Sequence, residues 1–439
     1  MKIFRRKITY LDYASVAPIN KDALKIMRLY ESKFFANPGA IHNDGVEARN
    51  AAENARQEIA SLINAHSDEI IFTGSGTESD ALAILGVVRA YKSENIPHII
   101  TTNIEHSAVL ENCRLLEKNK EAEVTYVEVN KNGIVNPKDI RDALKENTVL
   151  VSVMYANNEI GTIEPLQEIA KEIRHFRKIN CGECKFLGAC ELDGVNSEKI
   201  SSKKFSCPKN LHSPQYPLFH TDACQAMNYL YAENIEKLGV DLLSFNGSKI
   251  YGPKGVGVLY KKRGIELAPL YAGGGQEFGF RSGTENVASI AGLAEAFKKT
   301  CLIKEKESAR LIAIRDYGIK KLFELSEKSG YEIILNGDKI ERLPNNINIS
   351  IIGISSELLV IELDAKGIEV SERSACGSDN DNGSHVIRAI RKNESYRSKA
   401  SVNTDSLRIS LGRQTTKKDM DFLVLTLTKI LNKYKQFKK

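Results

Sequence analysis

Two apolar runs in the chain end in residues that can share one ligand. Leu218-Phe219-His220-Thr221-Asp222 closes on an acid, and Ser244-Phe245-Asn246-Gly247-Ser248-Lys249 closes on a lysine set among Gly247, Gly252 and Gly255. In an open α/β sheet the carboxyl ends of neighbouring strands face the same crevice, so Asp222 and Lys249 can face one bound molecule. A lysine amine that can form a Schiff base and an acid that can keep a pyridine nitrogen protonated are the pair pyridoxal phosphate requires. The same pattern suits a buried strand-end ion pair followed by a turn, and the residues alone leave both readings open.

Other strand ends carry candidates of the same kind. Gly74-Ser75-Gly76-Thr77 follows the run Glu69–Thr73 and opens an apolar helix. Backbone N–H groups, the positive end of the helix and a hydroxyl converge there as they do in a phosphate site, although a tight strand–helix turn has the same residues. His106 follows the run from His98 to Asn103, and Asn157-Asn158-Glu159 follows Val149–Ala156. Cys376 lies in a Ser/Asp/Asn/Gly loop over 371–383. Between 180 and 215 the chain turns polar and holds Cys181, Cys184, Cys190 and Cys207, with His212 close by. Cys181-x-x-Cys184 has knuckle spacing for zinc, an iron–sulfur cluster uses the same ligands, and four reduced surface thiols are the alternative.

These residues need a scaffold, and the pattern predicts one. Residues 69–260 alternate near-continuous apolar strands with helices, the signature of an α/β domain with a mostly parallel sheet covered on both faces. With 439 residues, two domains are expected. The divisions fall at 1–18, a segment joining the smaller domain, 19–300, the large domain with the cysteine-rich insertion at 180–215, and 301–439, a smaller α+β domain carrying the Cys376 loop. Helices are expected from Asn20, over 44–64, from Asn136-Pro137, over 285–328 and from Lys417, the last behind the capping pattern Thr416-x-x-Asp419.

Composition narrows the setting. Apolar residues make up 42% and charged residues 27%, as in ordinary soluble domains, and the net charge is +6. Lysines and arginines are scattered apart from Lys433, Lys435, Lys438 and Lys439, which read as a solvated helix end, so no direct nucleic-acid partner is expected. No signal-peptide core follows Arg5-Arg6-Lys7, and no run reaches membrane-spanning length, so the expectation is a cytoplasmic protein without a membrane partner.

Eight motifs in order resemble the cysteine desulfurases of the NifS/IscS type, class-V aminotransferases within the fold-type I pyridoxal-phosphate enzymes. They are Thr73-Gly74-Ser75-Gly76-Thr77-Glu78-Ser79-Asp80, Glu105-His106-Ser107, Asn157-Asn158-Glu159-Ile160-Gly161, His220-Thr221-Asp222-Ala223-Cys224-Gln225, Lys249-Ile250-Tyr251-Gly252-Pro253-Lys254-Gly255, Arg281-Ser282-Gly283-Thr284, Ser374-Ala375-Cys376 and Arg408-Ile409-Ser410-Leu411-Gly412-Arg413. The resemblance implies a seven-stranded sheet in the large domain and pyridoxal 5'-phosphate as cofactor. Lys249 would be the Schiff-base lysine, Asp222 the pyridinium partner and His106 the ring-stacking histidine. Asn158 and Gln225 would bond the phenolic oxygen, and Gly76 and Thr77 the phosphate. Thr284 would reach the phosphate across a homodimer interface. Arg408 would clamp the carboxylate of L-cysteine, with Asn37 as a further substrate-side group. Cys376 would take the sulfur as a persulfide, leave alanine, and pass the sulfur to an iron–sulfur scaffold or a tRNA-thiolation enzyme. The chain departs from the family at Asn246 and Ser248, where Ser and His often help hold the phosphate, and in the cysteine-rich insertion. A selenocysteine lyase or another enzyme of the same fold is the nearest alternative. A metal-binding sulfur-transfer scaffold is the non-enzymatic one, against which intact Lys249, Asp222, His106 and Cys376 speak.

Overall fold

Runs such as Thr148-Val-Leu-Val-Ser152 have no solvent-facing side and bury every residue, so they can only be interior strands covered on both faces. Buried strands of this kind, with one partly exposed edge strand, make up the seven-stranded central sheet of the computed structural model, which describes residues 8–180, 216–232, 234–372, 383–392 and 405–436. After the short β1 (Thr9–Tyr10), they are β2 (Ile70–Thr73), β3 (His98–Thr102), β4 (Glu123–Val127), β5 (Thr148–Ser152), β6 (Leu218–Asp222), β7 (Leu242–Asn246) and β8 (Gly257–Lys261). Their order is β2-β8-β7-β6-β5-β3-β4, and β8 alone runs against its two neighbours. Alternate residues feed opposite faces. Ile70, Phe72, Leu243 and Phe245 pack with the Asn43–Leu62 helix and the start of the Val287–Ser329 helix. Ile71 and Leu242 pack with the helices Gly76–Ala90 and Ser107–Lys118.

A second, antiparallel sheet places β12 (Leu407–Ser410), β10 (Asn346–Ile351) and β9 (Ile333–Leu335) side by side. The short strand at Ile368 does not join it. Ile368–Glu369, β11, pairs in parallel with β1 instead, and Asp12 bridges to Ser410. The N-terminal segment is thereby laced to the C-terminal part of the chain before it crosses the edge of the large sheet. The Val287–Ser329 helix runs unbroken through residue 300, so the expected division falls inside one rod. The helix starts behave as their sequences require: Asn20 caps Lys21–Ser32, Asn136 caps a helix with Pro137 in its first turn, and Thr416 with Asp419 forms a capping box.

The edge strand β2, which leads to Gly74-Ser75, is pinned by a buried ion pair. Arg56, 3% exposed, donates to Glu277 Oε1 (2.7 Å) and to the carbonyl of Ile70 (2.6 Å), and Glu277 Oε2 also accepts from the Phe72 amide (2.7 Å). Removing one member strands the other charge. Arg56→Ala is expected to cost about 3–5 kcal/mol of unfolding free energy. Urea denaturation checks this, and a loss below about 1 kcal/mol, the size of a surface pair, would contradict it.

Candidate active site

Five strands of the large sheet end at one edge, and a pocket of about 130 Å³ opens there. From β2 comes the turn into the Gly76–Ala90 helix. Ser75 caps that helix, its Oγ accepting from the Glu78 amide (3.1 Å), and Glu78 pins the turn by accepting from the Gly74 amide (2.7 Å) and Arg281 Nε (2.9 Å). Gly76 and Thr77 line the pocket at the helix's positive end, where the first N–H groups have no intrahelical partner. A side chain at Gly76 does not fit: its Cβ would lie 2.6 Å from Cys224 Sγ and 3.2 Å from Asn246 Nδ2.

From β3 comes His106, the cap of the Ser107–Lys118 helix, whose Nδ1 accepts from the Ala108 amide (3.1 Å) and whose ring orientation is thereby held. From β5 come Asn157 and Asn158. Asn157 turns the chain by accepting from the amides of Glu159 (2.9 Å) and Ile160 (3.0 Å), and this leaves Asn158 in the pocket wall. From β6 comes Asp222, 7% exposed, its Oδ1 accepting from the Cys224 amide (2.8 Å). Gln225 faces the same pocket and donates to the Ala14 carbonyl (2.9 Å). From β7 come Asn246 and Lys249, and the Lys249 amine donates to the Ser15 carbonyl.

Arg408 closes the pocket from the second sheet. It is 1% exposed, and its Nη2 donates to Asp12 Oδ1 (2.9 Å) and Ser15 Oγ (2.7 Å) while Nη1 donates to the Asn158 carbonyl (3.1 Å). Its Nε is buried without a hydrogen-bond partner.

Lys249, Asp222, His106, Gly76, Thr77, Asn158, Gln225, Asn246 and Arg408 are thus brought together. Ser248 is not in the wall. Its Oγ bonds Asn246 Oδ1 (3.4 Å) and its carbonyl accepts from the Ala17 amide (2.9 Å), so it supports the wall from behind. Asn37 is not brought in either. Its Oδ1 is taken by the Gly39 amide (2.8 Å) in an exposed turn. Thr284 is exposed and away from the pocket of its own chain. Cys376 and the four cysteines Cys181, Cys184, Cys190 and Cys207 lie outside the described residues, and among the described residues no group of three or more His, Cys, Asp or Glu could hold a metal ion.

Four residues that belong to this site were not singled out from the sequence: Asp12, Ser15, Asp80 and Cys224. Ser15 links the Lys249 amine to the Arg408 guanidinium, a connection with no local sequence signal. Asp80 closes the helix-start motif and lines the pocket. Burial, and then the charge of Asp222, pushes its carboxyl well above the usual range. Burial raises the Cys224 thiol as well, with Asp222 adding to the shift. It lowers His220 behind the site to about 4 and raises Glu105, beside His106, to about 8.

Residues 9–181 and 208–423 match the aminotransferase class-V family. A protein named cysteine desulfurase IscS from Dictyoglomus turgidum is 40% identical over 428 residues, covering 98% of this chain and 95% of that one. One of the same name from Methanosarcina thermophila is 36% identical, covering 97% and 93%. Among solved structures, a NifS-like protein superposes with a TM-score of 0.80 at 28% identity, covering 97% of this chain and 99% of that one. A structure described as SspA in complex with cysteine gives 0.68 at 29% identity over 92% and 98%.

Glu105 gives the site a pH signature. Its folded value of about 8 exceeds the ordinary 4.5, so the native state keeps a proton that the unfolded chain releases. Its contribution is therefore full below about 4.5 and is lost as pH rises through about 8. Glu105→Gln cannot titrate, and its urea midpoint is expected to fall less than the wild type's across that window. Parallel profiles for the two proteins would contradict the assignment.

Proposed function

The chain belongs to the aminotransferase class-V family, and we propose that it works as a cysteine desulfurase: L-cysteine and the Cys376 thiol give L-alanine and a Cys376 persulfide. The observation that carries this reading is the convergence of Lys249, Asp222, His106, Thr77 and Arg408, from five separate strand ends, on one pocket. The pocket fits pyridoxal 5'-phosphate. The start of the Gly76–Ala90 helix, crowded so that only glycine is accepted, suits the phosphate, and Asp222 suits the ring nitrogen. When bound, that cofactor supplies an electron sink for the bond broken at the substrate's Cα.

The chain's own groups divide the remaining work. Lys249 holds the cofactor aldehyde and, once released, takes the Cα proton of the substrate on Nζ. In this structure that amine rests on the Ser15 carbonyl, a place where it can wait close to both cofactor and substrate. Arg408 takes the substrate carboxylate. The unpartnered Nε–H and the second N–H of Nη1 are the donors left for it, because Asp12 and Ser15 occupy Nη2 and the Asn158 carbonyl takes one N–H of Nη1. His106 would face the ring of the bound cofactor, Asn158 and Gln225 would offer hydrogen bonds to its phenolic oxygen, and Asn246, with Ser248 behind it, would shape the phosphate end. Cys376 attacks the substrate sulfur as a thiolate. An S–S bond forms and the Cβ–S bond breaks with its electron pair left on Cβ, which takes up the proton lost from the Cys376 thiol, so that alanine leaves and the outer sulfur keeps its hydrogen as Cys376 S–SH.

A homodimer is proposed on the exposure of Thr284, which leaves it able to reach a neighbouring subunit's phosphate. The sulfur acceptor is proposed to be an iron–sulfur scaffold or a tRNA-thiolation enzyme, in the cytoplasm. No helix among the described residues is long and apolar enough to cross a membrane. The knuckle spacing of Cys181 and Cys184, with Cys190 and Cys207, supports zinc or an iron–sulfur cluster in the insertion.

Two substitutions separate the roles. Cys376→Ser is expected to keep the visible absorbance of bound cofactor and to lose sulfide formation by about 1000-fold or more, the scale of removing a nucleophile. Lys249→Ala is expected to lose the absorbance itself. Sulfide release by Cys376→Ser at the wild-type rate, or an unchanged spectrum in Lys249→Ala, would remove that residue from its place.

Ser15 has a distinct signature. Ser15→Ala deletes one charged hydrogen bond to the clamp and leaves the carbonyl that receives Lys249. It is expected to raise KM for L-cysteine by about tenfold with kcat nearly unchanged, since such a bond is worth about 1.5 kcal/mol. Steady-state kinetics check this, and an unchanged KM would contradict the coupling.

A further inference from the structure

The pocket contains a second carboxyl that neither holds substrate nor is needed as the ring-nitrogen partner. Asp80 lies just past the first turn of the Gly76–Ala90 helix, is 1% exposed, and lines the wall together with Asp222. The groups that face it come from four elements. They are Asp222 and His220 on β6, Ser244 on β7, Glu105 after β3, and the Cys224 thiol just beyond β6. Ser244 beside the carboxyl opposes its upward shift, but Asp80 Oδ1 is buried with no hydrogen-bond partner.

The basic group beside that oxygen is His220, whose Nε2 lies 3.6 Å away. It cannot serve as a counter-ion. Its Nε2 is already 3.0 Å from Ser244 Oγ and its Nδ1 2.9 Å from Ser152 Oγ, and burial keeps the ring neutral at physiological pH. An ionised Asp80 would therefore be almost wholly buried, with an unfilled oxygen, no ion pair to the neighbouring imidazole, and a second carboxylate beside it. A buried carboxyl in that position takes up a proton rather than bear the charge.

We propose that Asp80 is a positioning residue that stays the neutral acid, confining the negative charge at this end of the pocket to Asp222. The inference deepens, and rests on, the reading of Asp222 as partner of the ring nitrogen. One carboxylate then meets one pyridinium and the buried pair is balanced, whereas two carboxylates would leave a net charge in a dry site. Asp80 acts through its neighbours: it packs beside Ser244, which meets His220, and His220 meets Ser152, so the strand end carrying Asp222 is backed by a buried polar set. Asparagine can replace a neutral acid in that role, and alanine cannot.

Two measurements test this. In infrared difference spectra of the cofactor-free proteins at neutral pH, wild type minus Asp80→Asn is expected to contain the carbonyl stretch of a protonated carboxylic acid. In titrations followed by visible absorbance, Asp80→Asn is expected to bind pyridoxal 5'-phosphate within about threefold of wild type, with the same dependence of the spectrum on pH. Asp80→Ala is expected to bind about tenfold or more weakly, the cost of an unsatisfied buried partner, and to titrate at a displaced pH. Should Asp80→Ala fail to fold, the infrared measurement on Asp80→Asn decides. The inference is overturned by the absence of the acid band, by an Asp80→Ala protein that matches wild type in affinity and pH profile, or by an Asp80→Asn protein as impaired as Asp80→Ala. Wild-type protein that binds no pyridoxal phosphate would sink the cofactor reading first, and the role of Asp80 with it.

Discussion

A fully buried guanidinium ties the beginning of the chain to its end and both to the pocket. Arg408 on β12 meets Asp12, 396 positions earlier, at 2.9 Å. Removing Asp12 would leave a buried guanidinium without its carboxylate, so the contact holds the N-terminal segment in place. Once Asp12 is held there, the residues after it lie across the edge of the large sheet. Ala14 receives Gln225, Ser15 receives Lys249 and Arg408, and Ala17 donates to Ser248. The short β1–β11 pairing needs this support, since two residue pairs contribute little alone. The pocket therefore depends on contacts between parts of the chain that no single sheet connects.

The second constraint is dryness. Asp80, Glu105 and Asp222 are all buried at the same edge, and their neighbours His220 and Cys224 are neutral because burial works against their charged forms. Asp80, Asp222 and Cys224 line the pocket, and Glu105 and His220 lie outside its lining. Such a site resists charge until a ligand brings its own, and interactions within it are stronger than they would be in water.

Much of the scaffold was legible because its causes are local. Buried parallel strands are continuous apolar runs, so the alternation over 69–260 could be read directly, and the caps at Asn20, Asn136 and Thr416 follow from side chains bonding amides two or three residues on. Site residues that sit directly after strands, such as Asp222, His106 and Lys249, were legible for the same reason. Asp12 and Ser15 were not, because their roles depend on partners hundreds of positions away. Asp80 was not, because a helical aspartate looks the same in sequence whether it meets water or a strand end. Asn37 is a different case: the resemblance implies a substrate-side place for it, and within this chain its Oδ1 accepts from the Gly39 amide in its own turn.

Asn246 shows how local crowding and site chemistry are linked. Where relatives of this type often have a small hydroxyl, this chain has a carboxamide whose Nδ2 reaches to within 3.2 Å of where a Gly76 Cβ would be, and Cys224 Sγ comes closer still, to 2.6 Å. Together they narrow the entrance to the helix's first N–H groups. Ser248, smaller than the histidine common at that position, bonds Asn246 Oδ1 and directs the amide's donor face away from itself. One long polar side chain thus replaces the reach of two, and it presents an N–H donor to the anion-binding end of the helix, where donors and the helix dipole act in the same sense. Asn246 and Cys224 thus crowd Gly76, and the amide nitrogen of Asn246 lies at the start of the helix.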